Sequence, residues 1–160
     1  MNKIKLIILD VDGTMTTGEI AYLEDGQEIK IFNAKDGLAT KLAVKEGLKI
    51  AIITGRTSPI TIKRGQELGV QYLYQNIADK IPKLLEICED MRITPEEVCY
   101  IGDDVNDLSA MKLCGYTACP KDAAVDILSE VDFVSSFDGG KGAIREVIET
   151  IMKHQGIWPV

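Results

Sequence analysis

Two carboxylates two residues apart, Asp10 and Asp12 in Leu9-Asp10-Val11-Asp12-Gly13-Thr14, end a continuous apolar run. Along an extended chain such residues project to the same side, and crowded like charges are costly unless a cation or a shared proton compensates. A hard divalent ion such as Mg²⁺ takes oxygen ligands of this kind. Gly13 permits a sharp exit, and Thr14 is expected to hydrogen-bond within the loop. A second acidic turn, Gly102-Asp103-Asp104-Val105-Asn106-Asp107, follows the apolar run that ends at Ile101. Either turn alone reads as a polar loop, or as a helix cap made by Asp104 or Asn106. Two of them after two buried strands point to a metal, with Asp103 or Asp104 completing a carboxylate cage begun by Asp10, because parallel strands bring their carboxyl ends to one edge. Two weaker pieces gain meaning beside these. Thr54-Gly55-Arg56 ends a third apolar run with a hydroxyl, a glycine and a cation, suited to phosphate oxygens. Lys80, at the start of a helix, would place a fixed cation on a phosphoryl group; a lone helical lysine is otherwise a solvated surface charge.

The elements that must position these residues are legible as alternating strands and helices. Short apolar runs at 4–9, 48–53, 71–74, 98–101, 116–119 and 132–135 predict strands, and their continuous apolarity fits burial on both faces of a parallel sheet. Helices are expected at 37–46, 59–68, 80–91, 106–113 and 143–154. Ser58-Pro59 supplies a cap followed by proline at the first helical position, and Thr94 with Glu97 has the spacing of a capping box. This rhythm predicts a single α/β domain over residues 1–160, with a doubly wound, mostly parallel, Rossmann-like sheet. Residues 15–33 break it: Ile20, Tyr22, Ile29 and Ile31 alternate around Asp25-Gly26, a β-hairpin signal, placed where a flap would stand over the site.

Composition bounds the rest. The chain has 160 residues, 46% hydrophobic and 27% charged, with a net charge of −7, which argues against a nucleic-acid partner needing a concentrated basic face. A locally positive pocket for a small phosphorylated ligand remains compatible with that balance. No apolar run approaches the roughly 18 residues of a membrane span, and Met1–Lys5 leads into the first strand without a cleavage site, so a cytoplasmic protein is expected. The four cysteines form no CxxC pair and read as buried thiols. His154 is the only histidine, which excludes histidine triads and HExxH sites and leaves the chemistry to carboxylates.

In their order along the chain, DxDGT at 10–14, Thr54-Gly55, Lys80 and GDDxND at 102–107 resemble the haloacid dehalogenase superfamily of aspartate-nucleophile phosphohydrolases. The resemblance implies that Asp10 is the nucleophile, forming an aspartyl-phosphate, and that Asp12 is the acid that protonates the leaving oxygen and then the base that activates water. It implies that Thr54 and backbone amides hold phosphoryl oxygens while Lys80 balances their charge. Mg²⁺ would be bound by Asp10, the Asp12 carbonyl and Asp103, with Asp104 and Asp107 in support.

The 40 residues from Thr14 to Thr54 and the 26 from Thr54 to Lys80 leave no room for the cap domain many members insert. The capless layout, with Phe32-Asn33-Ala34-Lys35-Asp36-Gly37, Tyr74-Gln75-Asn76 and Gly139-Gly140-Lys141-Gly142-Ala143-Ile144-Arg145-Glu146, resembles the 3-deoxy-D-manno-octulosonate 8-phosphate phosphatase branch. That branch implies a phosphorylated keto-deoxy sugar acid as substrate, with Gly55, Arg56 and Arg64 joining Thr54 and Lys80 in binding it. It also implies a homotetramer in which neighbouring subunits close the site. A sister activity on nine-carbon sialic-type keto-acid 9-phosphates shares most of these motifs; Arg56, where that branch tends to carry an acidic residue, favours the eight-carbon acid. A non-catalytic regulatory or assembly module is disfavoured because Asp10, Asp12 and Lys80 are all present. A receiver domain would lack the second aspartate and the GDDxND turn, and a phosphomutase would need a cap to exclude water. Trp158, close to the last helix, is expected either to pack on a neighbouring subunit or to fray.

Overall fold

Six strands carry the fold: β1 (Leu6–Leu9), β4 (Lys49–Ile53), β5 (Tyr72–Tyr74), β6 (Val98–Ile101), β7 (Tyr116–Cys119) and β8 (Phe133–Val134). In the computed structural model, which describes Met1 and residues 3–160, they form one parallel sheet in the order β5-β4-β1-β6-β7-β8. β1 is central and wholly buried, as its uninterrupted Leu-Ile-Ile-Leu requires. Successive side chains point to opposite faces. Ile7 and Leu9 therefore pack with α1 (Ala34–Lys45), α6 (Ala143–His154) and Leu68 of α2 (Pro59–Leu68). Leu6 and Ile8 pack with α3 (Ile81–Met91) and α4 (Val105–Met111). Leu9 lies opposite both Ile52 and Ile101, so three strands end level and deliver the turns at Asp10, Thr54 and Asp103 to one edge.

Local chemistry explains where helices begin. α1 starts at Ala34, three residues before the sequence-based expectation, because the Asn33 side chain accepts the Lys35 and Asp36 amides at 2.8 and 3.2 Å. Ser58 caps α2 as expected. The Thr94–Glu97 box is formed but closes only the 3₁₀ turn Pro95–Glu97. α4 is capped by Asp104, with Asp107 completing the box, and ends at Met111 instead of Leu113. A four-residue helix, α5 (Val125–Leu128), was not anticipated from the pattern. α6 has glycine at its cap, and the missing acceptor comes from α1: Asp36 Oδ1 accepts the Arg145 amide at 2.8 Å. Burial raises the Asp36 pKa, opposed by the Arg145 and Gly142 backbone amides.

The hairpin forms from β2 (Ala21–Tyr22) and β3 (Glu28–Ile29), antiparallel and only two residues long on each side. Between Thr14 and Thr54 stand this hairpin and α1; between Thr54 and Lys80 stand α2 and β5. Trp158 packs on its own chain: Arg145 lies over its ring at 4.7 Å from the centroid, and Ile157 joins the α1–α6 core. The four cysteines are free thiols, all but Cys114 buried. Among the described residues no helix is long and apolar enough to cross a membrane.

Candidate active site

The Asp10 amide donates to the Ile101 carbonyl at 3.0 Å, extending the β1–β6 ladder by one residue past the strand. That bond fixes the first carboxylate at the sheet edge, 5% exposed. Lys80 arrives from the head of α3, its side chain fully buried, with Nζ 2.6 Å from both Asp10 Oδ1 and Asp107 Oδ1. Asp107 is held from every side. Its Oδ1 also accepts the Tyr100 hydroxyl at 2.9 Å, and its Oδ2 accepts the Asp103 amide at 3.2 Å. Thr14 bonds within its loop through its amide, which donates to the Val11 carbonyl at 3.2 Å, while its hydroxyl donates across the site to Asp103 Oδ1 at 3.0 Å. The two acidic turns are thus pinned to each other, and only glycine fits between them. A Cβ on Gly13, whose φ is +95°, would lie 2.0 Å from Asp103 Oδ2.

Asp10, Asp103 and Asp107 each place a carboxylate oxygen within 4.8 Å of the others, and among the described residues Lys80 alone sets a positive charge directly against Asp10 and Asp107. Burial pushes the Asp10 pKa well up, with the Asp107 charge adding to it and Lys80 opposing. Burial likewise raises Asp103 to about 6, against the Thr14 hydrogen bond. A hard divalent ion fits this donor set, since it would supply the positive charge these oxygens lack.

The cage opens into a cleft of about 140 Å³ lined by Asp10, Asp12, Thr54, Gly55, Arg56, Asp103, Asp104 and Asn106. Thr54 is buried and held by its amide, which donates to the Tyr74 carbonyl at 3.0 Å. Asp12 turns away from the three-carboxylate cluster toward the hairpin. Its Oδ1 accepts Lys30 Nζ, and Arg56 Nε stands 3.8 Å from its Oδ2. Arg56 also donates to Tyr22 and Glu28, each at 3.1 Å. Arg64 is not brought to this cleft. Its guanidinium donates to Glu67 and to the Asn33 carbonyl at 3.4 Å and lies 5.5 Å from the Phe32 centroid, under the start of α1.

Sequence alone pointed to neither Lys30 nor Glu28. The alternation was readable but not the face it turns inward: Ile29 and Ile31 are exposed, so the intervening polar positions face inward, the reverse of the usual pattern. Nor did it give a reason for Gly139-Gly140. A Cβ on Gly139 would meet the Gly13 carbonyl oxygen at 1.9 Å, and the Gly140 amide donates to the Thr14 carbonyl at 3.0 Å. Gly139→Ala is therefore expected to displace the DxDGT turn. The cost should be about 1–3 kcal/mol in a denaturant melt, with a parallel loss of turnover.

A family model described as haloacid dehalogenase-like hydrolase matches residues 33–115. The 3-deoxy-D-manno-octulosonate 8-phosphate phosphatase of Haemophilus influenzae is 36% identical over 98% of this chain and 87% of its own length. A crystal structure of the phosphatase of that name from Yersinia pestis superposes with a TM-score of 0.96 at 36% identity, covering 98% of this chain and 84% of that one. The Moraxella catarrhalis phosphatase, solved with a magnesium ion, a phosphate ion and a KDO molecule, gives 0.94 at 35% identity over 97% of this chain and 89% of its own.

Proposed function

Because this chain belongs to the haloacid dehalogenase-like hydrolases, we propose that it hydrolyses 3-deoxy-D-manno-octulosonate 8-phosphate with Mg²⁺, through an aspartyl-phosphate on Asp10. The observation that carries the chemistry is the convergence of Asp10, Asp103 and Asp107 around a fully buried Lys80 at the mouth of a small polar cleft. Asp10 attacks phosphorus as the bond to the leaving oxygen breaks, and Asp12 gives that oxygen its proton. Asp12 then takes a proton from water, whose oxygen bonds to phosphorus as the bond to Asp10 breaks, releasing phosphate and restoring the Asp10 carboxylate. Thr54 and the Gly55 backbone hold phosphoryl oxygens, and Lys80 offsets their charge against that of the attacking carboxylate. Asp10, the Asp12 carbonyl and Asp103 would hold Mg²⁺, which supplies neutralisation of the phosphoryl charge. Asp107 positions Lys80 and the Asp103 turn, and Asp104 caps the helix behind it.

The names of the relatives and the sugar acid in the Moraxella structure support the substrate assignment. Arg56, at the cleft rim and partly exposed, is the cation for the sugar-acid carboxylate, exchanging its contact with Glu28 for one with substrate. In this reading the chain is a single cytoplasmic domain that assembles as a homotetramer. The hairpin's exposed Ile20, Tyr22, Ile29 and Ile31, together with Arg64 outside its own cleft, serve a neighbour's site. Sedimentation at micromolar concentration is expected to give four chains per particle. The substrate is tested by comparing kcat/KM on the eight- and nine-carbon keto-acid phosphates with Mg²⁺. At least a tenfold preference for the eight-carbon acid is expected; preference for the nine-carbon acid would overturn the assignment.

The raised Asp10 and Asp103 carboxyls make Mg²⁺ binding pH-dependent. Their ionisation is unfavourable in the ion-free fold, so ion-free stability falls as pH rises through about 6 for Asp103, and an ion that needs the charged form restores it. The rise in melting temperature on adding Mg²⁺ should therefore be small at pH 5 and grow toward pH 7.5.

A further inference from the structure

Lys30 comes from a hairpin with two-residue strands, most of whose residues are exposed, yet its own side chain is only 3% exposed. An isolated hairpin of this length is marginal in water, and an ammonium group is costly to bury unless it is paired. Here it is paired twice: with Asp12 Oδ1 by a hydrogen bond, and with Glu28 Oε1 at 2.7 Å. Glu28 Oε2 takes Arg56 Nη2 at 3.1 Å, and Arg56 Nε returns to Asp12 Oδ2 at 3.8 Å. Four charged side chains from the hairpin, the DxDGT turn and the β4 turn thus form a closed ring at the cleft. A buried ion pair contributes little net stability, but it does fix geometry.

Asp12 must serve two different oxygens, first that of the leaving group and then that of water, without losing its aim. Misplacing a reacting group by about 1 Å costs on the order of 100-fold in rate. Lys30 engages Oδ1, the shorter and more buried of the two contacts, which leaves Oδ2 to exchange the proton. We propose that Lys30 is a positioning residue for Asp12, so that the hairpin aims the acid–base carboxylate. This rests on the aspartyl-phosphate reading above and adds to it that a hairpin lifted from the cleft leaves that carboxylate unaimed.

The test is Lys30→Met, which keeps the length of the stem and removes the charge. It is assayed with Mg²⁺ on an alkyl phosphate and on p-nitrophenyl phosphate, whose leaving group needs no proton. On the alkyl ester kcat should fall about 100-fold with KM changed less than threefold. On the aryl ester the first step still proceeds, but hydrolysis of the aspartyl-phosphate, in which Asp12 deprotonates water, becomes limiting. A burst of about one nitrophenolate per chain, followed by slow turnover, is therefore expected. In an Asp12→Asn background the Lys30 substitution should cost less than about threefold, because a residue that acts through Asp12 has nothing left to aim. Equal losses on both esters without a burst, or losses that multiply in the double variant, would overturn the proposal. Rates within twofold of the parent would do the same. If the parent itself released no phosphate with Mg²⁺, the hydrolase reading would fall together with this one.

Discussion

Asp10→Asn will lose at least about 1,000-fold in Mg²⁺-dependent turnover, as expected for removal of a covalent nucleophile, and will not melt at a lower temperature than the parent. Both halves follow from one geometry. The carboxylate proposed to attack phosphorus is 5% exposed and faces Asp103 and Asp107 across less than 4.8 Å. Burial and the Asp107 charge both disfavour its ionised form. Replacing it with a neutral isostere removes that repulsion, while Lys80 keeps Asp107 at 2.6 Å. The same change removes an oxygen that would hold the ion, so the Mg²⁺-dependent rise in melting temperature should shrink. Full turnover by the variant, measured as phosphate release, would show that another group attacks.

Lys80→Met has the opposite signature and is expected to lower stability by about 3–5 kcal/mol in a denaturant melt, the usual cost of stripping one partner from a buried ion pair. Lys80 is the cation in contact with both Asp10 and Asp107, and its loss leaves two buried carboxylates facing each other. Asp107 would retain the Tyr100 hydroxyl and the Asp103 amide but no balancing charge. Adding Asp107→Asn to Lys80→Met should therefore recover much of the stability while leaving turnover near zero, since the cation proposed to offset the phosphoryl charge is still absent. If the double variant were no more stable than Lys80→Met alone, charge imbalance would not be what the lysine relieves.

The parts of this site that were readable without coordinates are those set by local rules. A continuous apolar run such as Leu6–Leu9 can be stable only with both faces covered, so an acidic residue directly after it must lie at the sheet edge; this located Asp10, and likewise Asp103 after Ile101. Ser58 was legible as a cap, and Asp104 as one of two candidates beside Asn106, because capping acts over three residues. What escaped depends on chain segments far apart in sequence. The Thr14 amide bonds within its own loop, as local rules suggest, but its hydroxyl bonds Asp103, 89 residues away. The α6 cap comes from Asp36, 109 residues before Arg145. Lys30 was not singled out, because the two carboxylates that hold its ammonium come together only at the cleft. Arg64 is the reverse case: its motif suggested the site, whereas the fold turns it toward Asn33, Phe32 and Glu67.

The packing of Gly139 and Gly140 against the DxDGT turn bears on how the protein matures during synthesis. The DxDGT turn leaves the ribosome early, but the surface that backs it is made more than a hundred residues later, and α6, which follows, is capped by α1. Contacts of such separation form late, after most of the chain has been released. A nascent polypeptide stalled before Gly139 would therefore carry every chemical group of the catalytic centre and still be inert, so activity begins only once translation has passed that point.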